Sequence, residues 1–220
     1  MTAGQLASVE HRVAASPVWL SLVDTFTGAA PGGAVDVSLA RQHGTDWLPF
    51  ELPHQYKSNG DLALLGLGRV ALGRAGVDID VRITIRVDRT VVETSTGGDT
   101  LDVTVTTWDA DHPPALPIRE VVRCFPAPDY RYRPGLPVHP GRVVDAAGDP
   151  VVGASVTVTE TVLGNPVVEE VRTSSGGLFR IPLRWSSGST TLDADRAGAT
   201  GSTTITLPAD LGSASVIQIS

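Results

Sequence analysis

The chain has 220 residues, of which 41% are hydrophobic and 19% charged, a balance typical of a folded protein that can bury one or two cores. The formal net charge is −7. Binding to nucleic acid phosphates requires a basic face, so this acidic balance argues against a nucleic acid partner, and none is expected. Cys124 is the single cysteine, so no intramolecular disulfide can form, and we expect no disulfide-linked partner.

The first residues predict a short N-terminal arm, residues 1–16, before the first strand. Leu6, Val9 and Val13 share one stripe at helical spacing, so the arm is either a short helix or a loose extension. These three residues are candidates for binding a neighbouring protein subunit. The arm has no apolar stretch of signal-peptide length, and no run in the chain approaches the roughly 18 apolar residues of a membrane span. We therefore expect a cytoplasmic protein without a membrane span.

The clearest predicted element is a long strand over residues 77–88. Apolar and polar residues alternate strictly there, as they do in a strand with one buried and one solvated face. Shorter alternating runs begin at Val18 and Leu101, and a last strand is predicted over residues 118–125. We therefore predict one elaborated β-sandwich over residues 17–125.

A proline-rich linker is predicted over residues 126–140. It contains five prolines, which favour an extended, stiff chain that holds the two flanking domains in a fixed relation. Within it, aromatic and guanidinium side chains alternate at Tyr130, Arg131, Tyr132 and Arg133, and both types are enriched at protein interfaces. These four side chains either bind a partner subunit or pack the linker against the two domains.

The last predicted domain, residues 141–220, opens with a strand, a tight turn and a second strand. A second turn then leads into a further alternating strand. The residues that carry this pattern are Gly141, Val143, Asp145, Gly148, Pro150, Gly153, Ala154, Val156, Val158, Gly177 and Phe179. The pattern resembles the carboxypeptidase regulatory-like (transthyretin-like, prealbumin-like) β-sandwich family over roughly residues 139–220. The resemblance implies an accessory module without chemistry of its own.

The first half of the chain echoes these turns. Residues 22–28 parallel residues 143–148, and residues 57–62 parallel residues 173–178, which predicts a divergent second copy of the fold. The predicted fold is therefore all-β, with two Ig-like or transthyretin-like β-sandwiches joined by the proline-rich linker.

The sequence contains only weak indications of catalytic residues. Asp109, Asp111 and His112 gather two carboxylates and an imidazole that could hold a divalent cation, but the prolines after them also suit a polar loop. Cys124 lies beside Phe125 in a predicted strand and is interpreted as a small core residue. The transthyretin-like fold also includes the 5-hydroxyisourate hydrolases, whose C-terminal Tyr-Arg-Gly-Ser is missing here. We expect no catalytic residue, cofactor or metal, and no enzymatic activity.

These observations favour a non-catalytic structural or adaptor protein that binds other protein subunits. Such two-sandwich proteins look similar to accessory proteins of phage-tail-like contractile injection particles, which assemble inside the cell. The alternative is a small-ligand or carbohydrate-binding module, in which Trp19, Trp47, Trp108 and Trp185 would supply a stacking platform. A metal-dependent enzyme that uses the 109–112 loop is a third hypothesis.

Overall fold

The structure, a computed structural model, describes residues 15–71, 73–114, 116–185 and 187–220. The predicted stripe of Leu6, Val9 and Val13 lies outside these residues. Within them the regular structure is entirely β-strand, which confirms the all-β prediction, and no helix there is long and apolar enough to cross a membrane. The strands are β1 Val18–Asp24, β2 Val35–His43, β3 Asp46–Phe50, β4 His54–Tyr56, β5 Leu62–Leu64, β6 Asp78–Val87, β7 Thr90–Glu93, β8 Thr100–Thr106, β9 Ile118–Pro126, β10 Val138–Val144, β11 Ser155–Val162, β12 Asn165–Arg172, β13 Leu178–Pro182, β14 Gly188–Arg196, β15 Ala199–Leu207 and β16 Ser215–Gln218.

The first nine strands form the N-terminal sandwich. Its two sheets have the strand orders β4-β5-β1-β9-β7 and β3-β2-β6-β8. The alternation predicted for residues 77–88 is present in β6, where Val81, Ile83 and Ile85 are fully buried and the polar residues between them face solvent. Because alternate residues of both sheets point inward, the two sheets enclose one hydrophobic core.

The last seven strands form the C-terminal sandwich around a separate core. Its sheets have the orders β13-β10-β16 and β12-β11-β14-β15. Phe179 is the largest side chain of this core and is 1% exposed, and it packs with inward residues of the other strands, such as Val143 and Leu192. Each sandwich therefore buries its own apolar residues, as expected for two units of this size.

The two sandwiches share one strand order. The run β5-β1-β9 corresponds to β13-β10-β16, and β3-β2-β6-β8 corresponds to β12-β11-β14-β15. In both, the first strand pairs antiparallel with one neighbour and parallel with the last long strand. The N-terminal sandwich differs in having two additional edge strands, β4 and β7.

The turn after the first strand is built alike in both sandwiches. The Oδ1 atom of Asp24 accepts hydrogen bonds from the backbone N–H groups of Phe26 and Thr27, at 2.9 and 3.1 Å. Asp145 accepts two in the same way from Ala147 and Asp149, both at 2.9 Å. These are the local side-chain to backbone bonds that make aspartate a strong turn residue.

The second predicted correspondence is one residue out of register. Leu20 and Gly141 are equivalent positions, because each lies four residues before the aspartate of its turn. Leu20 pairs with Leu62, and Gly141 pairs with Phe179. The strand pairing therefore aligns Leu62 with Phe179 and not with Leu178. Residues 57–62 therefore correspond to residues 174–179. The two alignments differ at Gly176 and Gly177, two adjacent glycines that offer two positions for the one glycine of the first turn.

The strands extend into the predicted linker from both sides. Strand β9 continues to Pro126, which pairs with Thr90, and β10 begins at Val138, which pairs with Pro182. The separate segment is thus shorter than the predicted range of residues 126–140. Pro126 and Pro182 are accepted here because each is the last residue of its strand and its carbonyl group can still accept a ladder hydrogen bond.

His139 is buried at the start of the C-terminal core. Its side chain is 0% exposed, and its Nε2 atom lies 2.9 Å from the Ser215 hydroxyl. Burial lowers the pKa of His139 below its ordinary value of 6.5, and the neighbouring Asp210 only partly offsets this effect. The core therefore holds a neutral imidazole.

We expect the C-terminal sandwich to lose stability as the pH falls below about 6.5. Because the pKa of His139 is lower in the folded state than in the unfolded state, protons bind preferentially to the unfolded chain below that pH. The free energy of unfolding should then decrease until the folded pKa is passed. Urea unfolding at stepped pH values between 7 and 5 measures this slope. His139→Gln should flatten it, whereas His54→Gln, at an exposed histidine, should not; equal slopes in both variants would contradict the assignment.

Candidate interaction surfaces

The two linker tyrosines bind both sandwiches within the chain. The Tyr130 hydroxyl donates to Asp24 Oδ2 at 2.6 Å, and the Tyr132 hydroxyl donates to the Arg180 carbonyl oxygen at 2.9 Å. Both rings pack edge-on against Phe26, with centroid distances of 6.1 and 5.2 Å. The linker is therefore fixed to the first turn of one sandwich and to β13 of the other.

Both tyrosine hydroxyls act as donors in this arrangement. Burial is the main reason that the pKa values of Tyr130 and Tyr132 are raised well above the usual range, and the Asp24 carboxylate adds to it. Arg131 and Arg133, which alternate with them, are exposed. The alternation thus separates two side chains that pack the linker from two that face solvent, and partner binding by the arginines stays a prediction.

We call the region where the two sandwiches and the linker meet the joint. A second contact across the joint is a ring of four charged side chains, which we name the charged ring. Arg172 lies 2.7 Å from Glu93 and 3.0 Å from Glu170. Arg123 closes the ring, at 3.1 Å from Glu170 and 3.9 Å from Glu93. The guanidinium carbons of the two arginines lie 4.5 and 4.4 Å from the centroid of the buried Phe125 ring, within cation–π range.

The charged ring joins the two sandwiches because its members alternate between them. Glu93 and Arg123 belong to β7 and β9, whereas Glu170 and Arg172 belong to β12. The Arg172 side chain is only 13% exposed, so removing either carboxylate would leave a poorly solvated charge. The orientation of one sandwich on the other is therefore held by ionic and aromatic contacts.

A buried acidic pair lies beside this joint and was missed by the sequence analysis. Glu160 and Glu169 are each 6% exposed on the inward side of β11 and β12. Glu160 accepts a hydrogen bond from the Arg184 backbone N–H at 2.6 Å, and the Arg184 guanidinium pairs with Glu169. The Arg184 guanidinium also lies 5.8 Å from the Phe26 ring centroid.

Arg184 binds both members of the acidic pair, through its backbone N–H group and its guanidinium. Burial raises the pKa of Glu169, and the nearby Glu160 adds to the rise, while Arg184 opposes it. A signal was present in the sequence, because Glu160 takes an inward position in the alternation that begins with Val156 and Val158. An acidic residue at such a position indicates a buried partner of opposite charge.

Asp109 organises its own loop. Its side chain is 1% exposed and accepts hydrogen bonds from the backbone N–H groups of Gly73, Asp111 and His112, at 2.8, 3.0 and 2.8 Å. Burial alone would raise the pKa of Asp109, but these hydrogen bonds outweigh it and lower the pKa to about 2. Asp111 and His112 are exposed. In the described part of the chain, no three His, Cys, Asp or Glu side chains are grouped to hold a metal ion.

Cys124 is fully buried in the N-terminal core. Burial, followed by the charge of Asp24, raises the pKa of the Cys124 thiol to about 12. Since the thiolate is the reactive form of cysteine, this thiol is unreactive at neutral pH. These observations support its interpretation as a core residue.

The four tryptophans do not form an exposed platform. Trp108 is 3% exposed, Trp19 and Trp47 are half-buried, and only Trp185 is largely exposed, at 47%. A stacking platform for a sugar ring needs an accessible aromatic face. Trp185 alone meets that requirement.

One comparison with known proteins concerns the C-terminal sandwich. Residues 140–220 match the family model of the carboxypeptidase regulatory-like domain, in agreement with the resemblance drawn from the sequence motifs. The match covers this sandwich alone, and the N-terminal sandwich shares its strand order. The comparison with curated proteins found no match.

Two kinds of solved structure are similar over most of the chain. The shaft pilin SpaA of Lactobacillus rhamnosus GG has 10% identity and a TM-score of 0.28, with 92% of this chain and 96% of that chain covered. A streptococcal ancillary pilin has 16% identity and a TM-score of 0.27, with 92% of this chain and 61% of that chain covered. TM-scores this low carry no argument about fold or function.

Proposed function

We propose that this chain is a non-catalytic structural protein that holds two β-sandwiches in a fixed relation and binds other protein subunits with them. The observation that carries the proposal is the joint. The charged ring and the packing of Tyr130 and Tyr132 on Phe26 together fix the orientation of the sandwiches. A protein that positions other subunits needs a fixed geometry between its binding faces, because freedom lost on binding weakens the complex.

The chemistry of the described residues supports the same proposal. The groups that suggested reactivity in the sequence have structural roles: Asp109 holds a loop and Cys124 fills a core. The match of residues 140–220 to an accessory domain adds to this support. We also propose that the N-terminal sandwich is a divergent second copy of that domain, on the basis of the common strand order and the matching aspartate turns.

The proposal is tested by purifying the tagged chain from the cells that naturally make it, after mild cross-linking, and identifying the recovered proteins by mass spectrometry. Another protein should be recovered in near-stoichiometric amount. Recovery of the chain alone would contradict the proposal. Tube, sheath or baseplate-type proteins among the partners would favour a phage-tail-like contractile injection particle, a setting that rests on the two-sandwich architecture alone.

The exposed linker arginines give this experiment a matched variant. We expect Arg131→Ser combined with Arg133→Ser to reduce the recovered partner at least tenfold if these side chains anchor it, since arginine is enriched among binding hot spots. Arg74→Ser, at another exposed arginine, should leave recovery unchanged. Unchanged recovery of the partner by the double variant would show that these two arginines of the linker do not anchor it.

The alternative, a small-ligand module, has one supporting observation. A groove of about 850 Å³ lies between the sandwiches, with lining residues that include Arg86, Asp88, Arg89, Ser174 and Arg196. Its volume falls within the range of small-molecule sites, but it is lined by charges of both signs. Ligand screening by thermal shift on the purified chain distinguishes this alternative from the structural role.

A further inference from the structure

Strand β7 lies at the end of its sheet, so one of its two edges has no neighbouring strand. Among the described residues it pairs with β9 alone. At its start the Ala127 N–H donates to the Arg89 carbonyl at 3.0 Å, so the odd-numbered residues of β7 bond to β9. The backbone N–H and C=O groups of Thr90 and Val92 therefore point away from β9. No backbone hydrogen bond to these four groups occurs in the part of the chain that the structure describes.

The edge strand β15 of the other sandwich shows how this chain closes an edge. Its even-numbered residues face the outer side, and Thr200 exchanges two backbone hydrogen bonds with Ser220, at 3.3 and 3.2 Å. Thr206 donates its N–H to the Asp210 carboxylate at 2.6 Å and accepts the Asp210 N–H at 3.0 Å. Contacts of this kind stop an edge from pairing with another strand. Among the described residues β7 has no equivalent contact, so its edge is open.

The open edge of β7 borders the groove of about 850 Å³ between the two sandwiches, which we name the joint groove. All four residues of β7 line this groove. Ser174 and Ser175, from the loop between β12 and β13, line it as well, so the groove has walls from both sandwiches. A ligand in the joint groove can therefore reach the free backbone groups of Thr90 and Val92.

Arg89, the residue before β7, has an unfavourable backbone conformation. Its φ is +59°, a value that residues other than glycine rarely adopt. Its side chain lines the joint groove and is 34% exposed. Strain of this kind is retained at functional sites. Arg86, Arg196, Asp88 and Asp99 also line the groove, so charges of both signs lie near the open strand edge.

We propose that the joint groove binds an extended segment of a partner protein, which adds a strand to the open edge of β7. An extended chain presents N–H and C=O groups at the two-residue spacing of the free groups of Thr90 and Val92, whereas a compact small molecule does not. In this mode of recognition main-chain hydrogen bonds give affinity and side-chain contacts give specificity. The mixed charges of the groove favour a segment with both acidic and basic side chains. The inference rests on the structural function proposed above and names the form of its partner.

A phage-displayed library of random peptides, selected on the purified full chain, supplies the probe, and NMR amide hydrogen exchange locates the selected peptides. In the free chain the Val92 amide should exchange much faster than those of Val91 and Glu93, which bond to β9. When a selected peptide binds, exchange at Val92 should slow by about tenfold or more. Peptides that leave Val92 exchange unchanged, or a selection that yields no peptide, would overturn the proposal.

Val92→Pro tests the edge directly, because proline lacks the N–H group and is accepted on a strand edge. This variant should bind the selected peptides about tenfold more weakly, as expected from the loss of one hydrogen bond. Val168→Pro is the matched control. Val168 has the corresponding edge-facing position in β12, two residues after Pro166, and does not line the joint groove. It should bind like the wild type, and an equal loss of binding in both variants would contradict the proposal.

Selected peptides that are methylated at backbone nitrogens give a second readout, which does not depend on the folding of a variant. Only alternate amides of an added strand face β7, so methylation of one alternating set should abolish binding and methylation of the other should leave it. Equal effects of the two sets would overturn strand addition. A chain that recovers a partner from cells but binds no peptide in the joint groove would keep the proposed function and contradict this inference, so the two failures are distinguishable.

Discussion

Gly141→Ala should destabilise the C-terminal sandwich by about 3 kcal/mol, the upper part of the range for overpacking a core. The Phe179 ring lies directly over the Gly141 backbone, and a methyl group at Gly141 would lie 2.6 and 2.9 Å from ring atoms Cε1 and Cε2. The ring is 1% exposed and enclosed by the core, so it cannot turn aside without displacing its neighbours. Glycine is required at this position by the close approach of the ring.

Urea unfolding of the variant and its control measures this effect. Gly212→Ala is the control, because Gly212 lies in the same sandwich and a methyl group at this position would meet no atom within 4 Å. Adding Phe179→Leu to Gly141→Ala should recover part of the loss, since the shorter side chain leaves room for the methyl group. If Gly141→Ala lowered the free energy of unfolding no more than the control does, the core would have room to move the Phe179 ring away from the added methyl group.

Arg172→Met should weaken the joint by about 3 kcal/mol, the lower end of the range for breaking a buried ion pair. The substitution keeps the length of the side chain but removes the cation shared by Glu93 and Glu170, which would then face each other across the charged ring. It also removes a cation from the face of Phe125. We expect the wild type to unfold in one calorimetric transition and the variant to unfold in two, one for each sandwich.

An exposed ion pair provides the comparison. Arg82 and Asp102 are bonded at 2.7 Å but their side chains are 39% and 50% exposed, so Arg82→Met should cost less than about 1 kcal/mol. A double-mutant cycle between Arg172→Met and Glu93→Gln isolates the coupling across the joint. Independent effects of the two substitutions, with one cooperative transition retained, would show that the charged ring does not hold the sandwiches together.

The local features of the fold could be predicted because they depend on neighbours in the sequence. The alternation in residues 77–88 predicts β6 because successive side chains of a strand point to opposite faces. Asp145 and Gly148 predict a turn because the aspartate accepts nearby backbone N–H groups and the glycine adopts a positive φ of 87°. The same local chemistry in the first sandwich made the repeated turn visible.

The candidate site could be predicted only in part. Tyr130 and Tyr132 were identified as contact residues, and the alternative that they pack the linker describes what they do in the structure. Asp109, Asp111 and His112 were identified as either a weak cation site or a polar loop. The sequence did not show the N–H donor from Gly73, 36 residues away, that helps Asp109 to hold this loop. A sequence shows which side chains can bond, whereas the fold selects their partners.

The sequence by itself determined the all-β class, the resemblance of the C-terminal sandwich to a known domain family and the turns that bound its strands, because periodicity and turn chemistry act over a few residues. Only the tertiary structure decided how the sandwiches meet and which apolar residues stay exposed. Arg172 finds Glu93 79 positions away, and Leu163 is left 92% exposed at the turn between β11 and β12. Such contacts depend on which faces come together after the strands have paired, and that is a property of the whole chain.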